Sequence, residues 1–125
     1  MVNPGPRILV VDDDPDIGIM LKMMLEYKGF KAVVADSAAK AEKILQADNI
    51  QLILMDMLLS GSNGTDVCIQ LKQQPETKHI PILMISAHPN AKEICLAAGA
   101  DDFILKPFDM HDILARVQSL IDRKS

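Results

Sequence analysis

Aromatic residues are scarce in this chain: they fill 3% of its 125 positions, and Trp is missing altogether. A core must therefore rest on Ile, Leu, Val, Met and Ala, and hydrophobic residues do supply 49% of the sequence. Cysteine is limited to Cys68 and Cys95. These fit no CxxC or Cys/His spacing, which excludes a zinc ribbon or dithiol motif and predicts two free thiols in a reducing compartment. No apolar run approaches the ~20 residues of a membrane span. The N-terminal MVNPGPR lacks the apolar stretch of a signal peptide. A cytoplasmic protein without a membrane partner is expected. Basic charge is not in excess, with 13 Lys and Arg against 17 Asp and Glu for a net charge of −4, which argues against direct binding of nucleic acid. Repeats, linkers and low-complexity segments are absent too. Residues 1–125 thus read as one domain, with its core at about 7–123 and residues 1–6 as a flexible N-terminus.

Strand and helix patterns alternate along the chain. Residues 7–11 (RILVV) form a run suited to a strand buried on both faces. Asp14 can cap the helix that follows, with Pro15 at its first position. Ile17, Met20, Leu21, Met24 and Leu25 recur at helical spacing, and Gly29 ends the helix. Residues 31–35 (KAVVA) make a second strand, and Ser37 caps a helix bearing Ala38, Ala41, Ile44 and Leu45 on one side. Residues 51–55 (QLILM) form the third strand, ending on Asp56, and residues 60–64 (SGSNG) have loop chemistry. A helix over 65–73 precedes a fourth strand at 80–85, which ends at Ser86. Asn90 and Glu93 have the spacing of a capping box for a short helix closing at Gly99. Residues 102–105 are the last strand, followed by Lys106, and Asp109 caps a final helix. Five strands alternating with five helices predict a flavodoxin-like, doubly wound α/β sandwich. Its parallel sheet has the expected order 2-1-3-4-5, with helices on both faces.

Ligands in such sheets bind outside the carboxyl ends of the strands. Asp12 and Asp13 stand at the first of those ends, Asp56 at the third, Ser86 at the fourth and Lys106 at the fifth. Singly, each has an ordinary explanation: Asp caps helices, hydroxyls end strands, and a lysine before proline is commonly solvated. Together they form the parts of one phosphate site. Two like charges ~4 Å apart cost about 4 kcal/mol at an effective dielectric of 20, so clustered carboxylates need compensation. An all-oxygen acidic cluster suits a hard divalent cation such as Mg²⁺. The lysine ammonium and serine hydroxyl suit the spread charge of a phosphoryl group. The remaining carboxylate is then free to act as a nucleophile.

Four segments in order, ILVVDDDPD, LILMDMLLSGSNG, ILMISA and AGADDFILKPFD, resemble the receiver domains of bacterial response regulators, and the resemblance runs from about Arg7 to Arg123. It implies that Asp56 is the phosphoacceptor, in a reaction dependent on Mg²⁺ (or Mn²⁺). Asp13 would be a direct metal ligand beside Asp56 and the backbone carbonyl of Leu58, with Asp12 acting largely through water. Ser86 would hydrogen-bond the phosphoryl group, Lys106 would pair with it, and Phe103 would be an aromatic switch turning inward as Ser86 moves. The implied donor is a sensor histidine kinase or a histidine phosphotransfer protein. The implied output is an effector domain, a downstream partner or a homodimer through the face of the fourth helix, fifth strand and fifth helix. The implied chemistry is self-phosphotransfer and autodephosphorylation rather than enzyme turnover.

Departures from the family pattern occur at Ser60, where Pro is usual, at Phe103, where Tyr is more frequent, and at Gln118, where a basic residue is common. The segment from Ser86 to Gly99 is roughly two residues shorter than usual, which bears on that signalling face. Asp101, Asp102 and Arg116 resemble pieces of the family's charged dimer pattern. Leu58 and His88 each stand two residues past a site residue, flanking the path of water to an acyl phosphate. Three other readings compete. A haloacid-dehalogenase-type phosphatase would use Asp12 and Asp14 as its D-x-D, but it leaves Asp56 unexplained. A flavodoxin-type binder would meet repulsion between FMN and the three aspartates. A phosphorylation-independent interaction module would keep only the fold.

Overall fold

The computed structural model describes residues 5–59 and 62–124. Its main sheet contains β1 (Arg7–Val11), β2 (Lys31–Ala35), β3 (Leu52–Asp56), β6 (Ile82–Ser86) and β7 (Asp102–Leu105). They are parallel, in the order β2-β1-β3-β6-β7. This is the expected 2-1-3-4-5 arrangement. Two further strands, β4 (Leu58–Leu59) and β5 (Ser62–Asn63), form a small antiparallel pair after β3. The sequence showed only a loop there, because two-residue strands are too short to display a period. The helices are α1 (Pro15–Tyr27), α2 (Ala38–Ala47), α3 (Gly64–Gln73), α4 (Ala91–Ala97) and α5 (Met110–Lys124).

Alternation along the strands creates two cores. Leu9, Val11, Ile53, Met55, Ile82, Met84 and Phe103 point into one, shared with Ala41, Val67, Cys68, Leu71 and Cys95 of α2, α3 and α4. Ile8, Val10, Leu52, Leu54, Leu83, Ile85 and Ile104 point into the other, shared with Leu21, Leu25, Ile113, Val117 and Leu120 of α1 and α5. Fully burying one such aliphatic side chain contributes about 1.5–3 kcal/mol, so a one-residue slip in register would be prohibitive. That stringency fixes the depth at which each strand runs out.

Local chemistry sets the helix ends. The Asp14 carboxylate accepts from Asp16 N–H at 3.0 Å, and Ser37 Oγ accepts from Lys40 N–H at 3.2 Å. Asp109 accepts from His111 N–H at 2.7 Å. Gly29 and Gly99 adopt φ of +94° and +105°, the left-handed conformation that closes α1 and α4. The capping box of Asn90 and Glu93 does not form. Asn90 sits at φ −94°, ψ 6°, away from the extended conformation an N-cap needs, and its side chain makes no cap bond. The fourth strand of the sheet starts at Ile82 rather than Ile80. Ile80 N–H is turned toward Thr77 C=O at 3.0 Å, and Pro81 has no N–H to offer a ladder. Met20, expected on the inner face of α1, is 43% exposed.

Candidate functional site

The carboxyl edge of the sheet gathers the polar residues that end its strands. Register places Val11 beside Met55, Asp56 beside Ile85 and Ser86 beside Leu105. Asp12, Asp56, Ser86 and Lys106 therefore leave the sheet side by side. Asp56 is 9% exposed, and one of its carboxylate oxygens, Oδ1, accepts from Leu58 N–H at 3.0 Å. The other, Oδ2, accepts from Lys106 Nζ at 2.8 Å. β7 is separated from β3 by β6, so the lysine must span two inter-strand spacings of about 4.8 Å each. Its long side chain does so across the end of β6. The Lys106–Pro107 peptide bond is cis.

Asp12 is 2% exposed, and its Oδ1 accepts from Asp14 N–H at 2.9 Å. Burial pushes its carboxyl above the ordinary value, and the nearby charges of Asp56 and Asp13 add to this. The Asp14 amide and the Lys106 ammonium oppose the rise without cancelling it. Asp13 is half-buried at the rim. The carboxylates thus lie within electrostatic reach of one another and of the Lys106 ammonium. Among the described residues, no three His, Cys, Asp or Glu side chains converge into a cage able to hold a metal ion by themselves.

Ser86 is 3% exposed, at the end of the strand between Asp56 and Lys106, and its main-chain oxygen accepts from Lys106 N–H at 2.7 Å. Its hydroxyl accepts from His88 N–H at 3.0 Å. Phe103 is 7% exposed, already packed in the core of the α2–α3–α4 face. The Leu58 side chain is 69% exposed beside the acceptor position. Ser60 lies outside the described residues.

Gly64 carries a role that its place in a loop-like stretch concealed. A Cβ there would lie 2.4 Å from Asp56 O, 2.8 Å from Met57 O and 3.0 Å from Met57 Cα. Its N–H donates to Met57 C=O at 2.7 Å, closing α3 tightly against the backbone of the acceptor strand. The run of Gly and Asn before a helix was the available signal. Asp101 and Asp102 are engaged within the chain. Asp101 accepts from Lys72 Nζ at 2.9 Å and from Ile82 N–H at 2.8 Å, while Asp102 accepts from Arg116 at 2.8 Å. Asp14 is exposed and spent as a helix cap, so the D-x-D of a haloacid-dehalogenase-type site is not assembled. In chemical terms, the edge offers a nucleophilic carboxylate, an ammonium on one of its oxygens, an adjoining hydroxyl and an acidic rim attractive to a hard cation.

No helix among the described residues is long and apolar enough to cross a membrane. Residues 8–118 match the family model of the response regulator receiver domain. The chain is 36% identical over 120 residues to the phosphate regulon transcriptional regulatory protein PhoB of Rhizobium meliloti, covering 94% of this chain and 53% of that protein. It is 36% identical over 119 residues to the DNA-binding response regulator MtrA of Mycolicibacterium smegmatis, covering 94% and 51%. The chain therefore spans about half the length of these relatives. The structure of the Francisella response regulator 1452 receiver domain superposes with a TM-score of 0.89 at 28% identity, covering 97% of this chain and 100% of that one. The chain belongs to the response regulator receiver domain family.

Proposed function

We propose that the chain accepts a phosphoryl group on Asp56 from the phosphohistidine of a sensor histidine kinase or histidine phosphotransfer protein, with Mg²⁺ or Mn²⁺ as cofactor, and signals through a change of conformation. The observation that carries this reading is the buried Asp56 carboxylate, 2.8 Å from the Lys106 ammonium and next to a second buried carboxyl, Asp12. Asp12, Asp13, Asp56 and the Leu58 carbonyl would hold the cation. Their donor set is all oxygen with surplus negative charge, which fits a hard cation. Mg²⁺ keeps several waters and takes only one or two carboxylates, so a closed protein cage is not required. When bound, the cation offsets charge on the transferring phosphoryl oxygens.

The chain's own groups supply the remainder. An Asp56 oxygen forms the new P–O bond as the P–N bond to the donor imidazole breaks. Leu58 N–H steadies the other carboxylate oxygen, and Lys106 follows the phosphoryl oxygens. The Ser86 hydroxyl turns from His88 N–H to donate to the phosphoryl group, and the inward Phe103 occupies the space behind it. The chemistry stays on this chain, as self-phosphotransfer and autodephosphorylation. Output would pass to an effector domain or partner, or to a second copy across the face of α4, β7 and α5. In the relatives named for DNA binding or transcriptional regulation, the matched region is likewise only part of the protein.

Intact-mass measurement after treatment with a small phosphodonor tests the reading. Wild type gains one phosphoryl group with Mg²⁺ and none after chelation, and Asp56→Asn gains none. Equal labelling of Asp56→Asn would refute the assignment, and multiple-turnover hydrolysis of an added phosphate ester would point to an enzyme instead.

A further inference from the structure

Cys68 and Cys95 take no part in the site at the sheet edge, yet both are fully buried, both are free, and both lie in the core between the sheet and α2, α3 and α4. Cys68 is central in α3 and Cys95 in α4. Successive crossovers of a parallel sheet run these helices in the same direction. Their relative register is fixed at the far end. A Cβ on Gly99 would lie 2.9 Å from Lys72 Cγ, and Lys72 Nζ binds the Asp101 carboxylate at 2.9 Å. Cys68 stands one turn of α3 before Lys72, and Cys95 stands in the last turn of α4, four residues before Gly99. The two thiols thus lie on parallel helices, each near the C-terminal end that the Lys72–Gly99 contact joins, and share one buried cluster. Consistent with this, the Cys68 thiol feels the charge of Cys95.

We propose that Cys68 and Cys95 are a redox couple, which a two-electron oxidant of the peroxide class joins in an intramolecular disulfide that clamps α4 to α3. The reaction balances with hydrogen peroxide alone. One thiolate attacks a peroxide oxygen, breaking the O–O bond to give a sulfenic acid and water. The second thiolate then attacks that sulfur and displaces a second water. Two thiols lose two hydrogens, and the peroxide is reduced to two waters.

Burial gates the first step. Desolvation pushes the Cys68 thiol up to about 11 and raises that of Cys95, so in the closed fold neither is a thiolate at neutral pH. Access comes from α4, which has seven residues and no side-chain cap at Asn90. The shortest of the described helices, it depends on packing rather than on its own hydrogen bonds, and local opening starts there. Its opening exposes Cys95 first. The same opening hydrates Cys68, so its thiolate resolves the sulfenic acid before α4 closes. α4 begins five residues after Ser86, so the clamp restrains the segment leading from that hydroxyl. Its regulatory meaning rests on the proposed function above, but the disulfide itself does not.

The fully reduced chain is treated with hydrogen peroxide, in buffer and in urea well below the unfolding transition, and followed by intact mass and by thiol titration after unfolding. The expected product is a monomer lighter by two hydrogens, with no titratable thiol and one linked peptide pair. Its formation accelerates about tenfold or more in sub-transition urea, as local opening requires. Cys68→Ala and Cys95→Ala, which keep the helices intact, lose this product. In the oxidised form, amide exchange in α4 slows at least tenfold. Addition of oxygen atoms to single cysteines, or linkage between chains only, would overturn the proposal, as would unchanged exchange in α4. The mass loss is read without any phosphodonor, so its failure and a failure of Asp56 to take a phosphoryl group are separate results.

Discussion

Replacing Lys106 by Met would remove the ammonium that sits 2.8 Å from Asp56 while retaining most of the side chain's apolar length. The two side chains are 23% and 11% exposed, so the pair is largely but not wholly shielded from water. Breaking a buried pair by deleting one partner commonly costs 3–5 kcal/mol, and the open edge puts this one near about 2–3 kcal/mol. Asp56→Asn deletes the other partner with a different outcome. It forfeits a charge-assisted hydrogen bond worth about 1.5–3 kcal/mol. It also removes a like charge from beside Asp12, whose repulsion is on the order of a few kcal/mol at an effective dielectric of 20. The amide oxygen can still accept from Leu58 N–H. The two effects are of similar size and opposite sign, so the net change is small. Asp12→Asn keeps the acceptor for Asp14 N–H and discards a buried charge, so it stabilises by roughly 1 kcal/mol. Urea unfolding in chelator-containing buffer at neutral pH reads all three. A slope of about 1–3 kcal/mol/M makes the Lys106→Met shift roughly 0.7–3 M. The expected order of stability is Asp12→Asn, then wild type together with Asp56→Asn, then Lys106→Met. If Asp56→Asn costs as much as Lys106→Met, the carboxylates do not repel one another and the electrostatic account of this edge is wrong.

Gly64→Ala drives a methyl into the backbone of Asp56 and Met57; overpacking of this kind costs about 1–3 kcal/mol, and labelling of Asp56 by a phosphodonor should slow in parallel. Unchanged unfolding and labelling would show that the contact yields freely. The raised Cys68 pKa makes stability pH-dependent at the alkaline end. Both states are protonated below about 9, and stability is lost as pH rises toward 11, because only the unfolded thiol ionises there. The Cys68 share of the loss is on the order of 2–3 kcal/mol, and Cys68→Ala should reduce the drop in urea midpoint between those pH values by that amount, leaving the part due to Cys95. Leu58→Asn offers a hydrogen bond to water at an exposed position beside the acceptor, and the phosphorylated lifetime, followed by decay of the labelled mass, should shorten; an unchanged lifetime refutes the idea.

The sheet was legible in the sequence because its three central strands are buried on both faces and its strands are punctuated by residues with specific jobs. Asp14, Ser37 and Asp109 cap, Gly29 and Gly99 close, and the apolar runs between them have strand length. Convergence of Asp12, Asp56, Ser86 and Lys106 followed from equal strand depth, without any contact being visible. What stayed hidden depends on contacts distant in sequence or on single dihedral angles. The spacing of Asn90 and Glu93 satisfies a capping box, but Ala91 N–H donates to His88 C=O at 3.1 Å, and that turn leaves Asn90 in the wrong conformation. Lys72 reads as a surface lysine of α3, yet it bonds Ile80 C=O at 2.8 Å as well as Asp101, joining three segments. The hydroxyl of Ser86 could be placed at the edge from sequence, but its bond to His88 N–H is a local turn that competes with any ligand.

The division of the molecule into two cores explains why the edge can carry so much unfavourable charge. Among the described residues, thirty-five hydrophobic ones are buried, and each aliphatic strand residue contributes on the order of 1.5–3 kcal/mol. Against that, the excess repulsion among Asp12, Asp13 and Asp56 is only a few kcal/mol and is confined to the last turn of backbone on each strand. The apolar ladder sets the register, and the register sets where the carboxylates stand, so they cannot relax apart without shifting an entire strand out of both cores. Repulsion that the fold cannot relieve by moving can be relieved only by an added positive charge or by loss of a negative one. Lys106 supplies part of that relief permanently. A bound cation would supply more and covalent capture of Asp56 would alter it again, which makes this edge a place where a chemical event can change the balance between conformations.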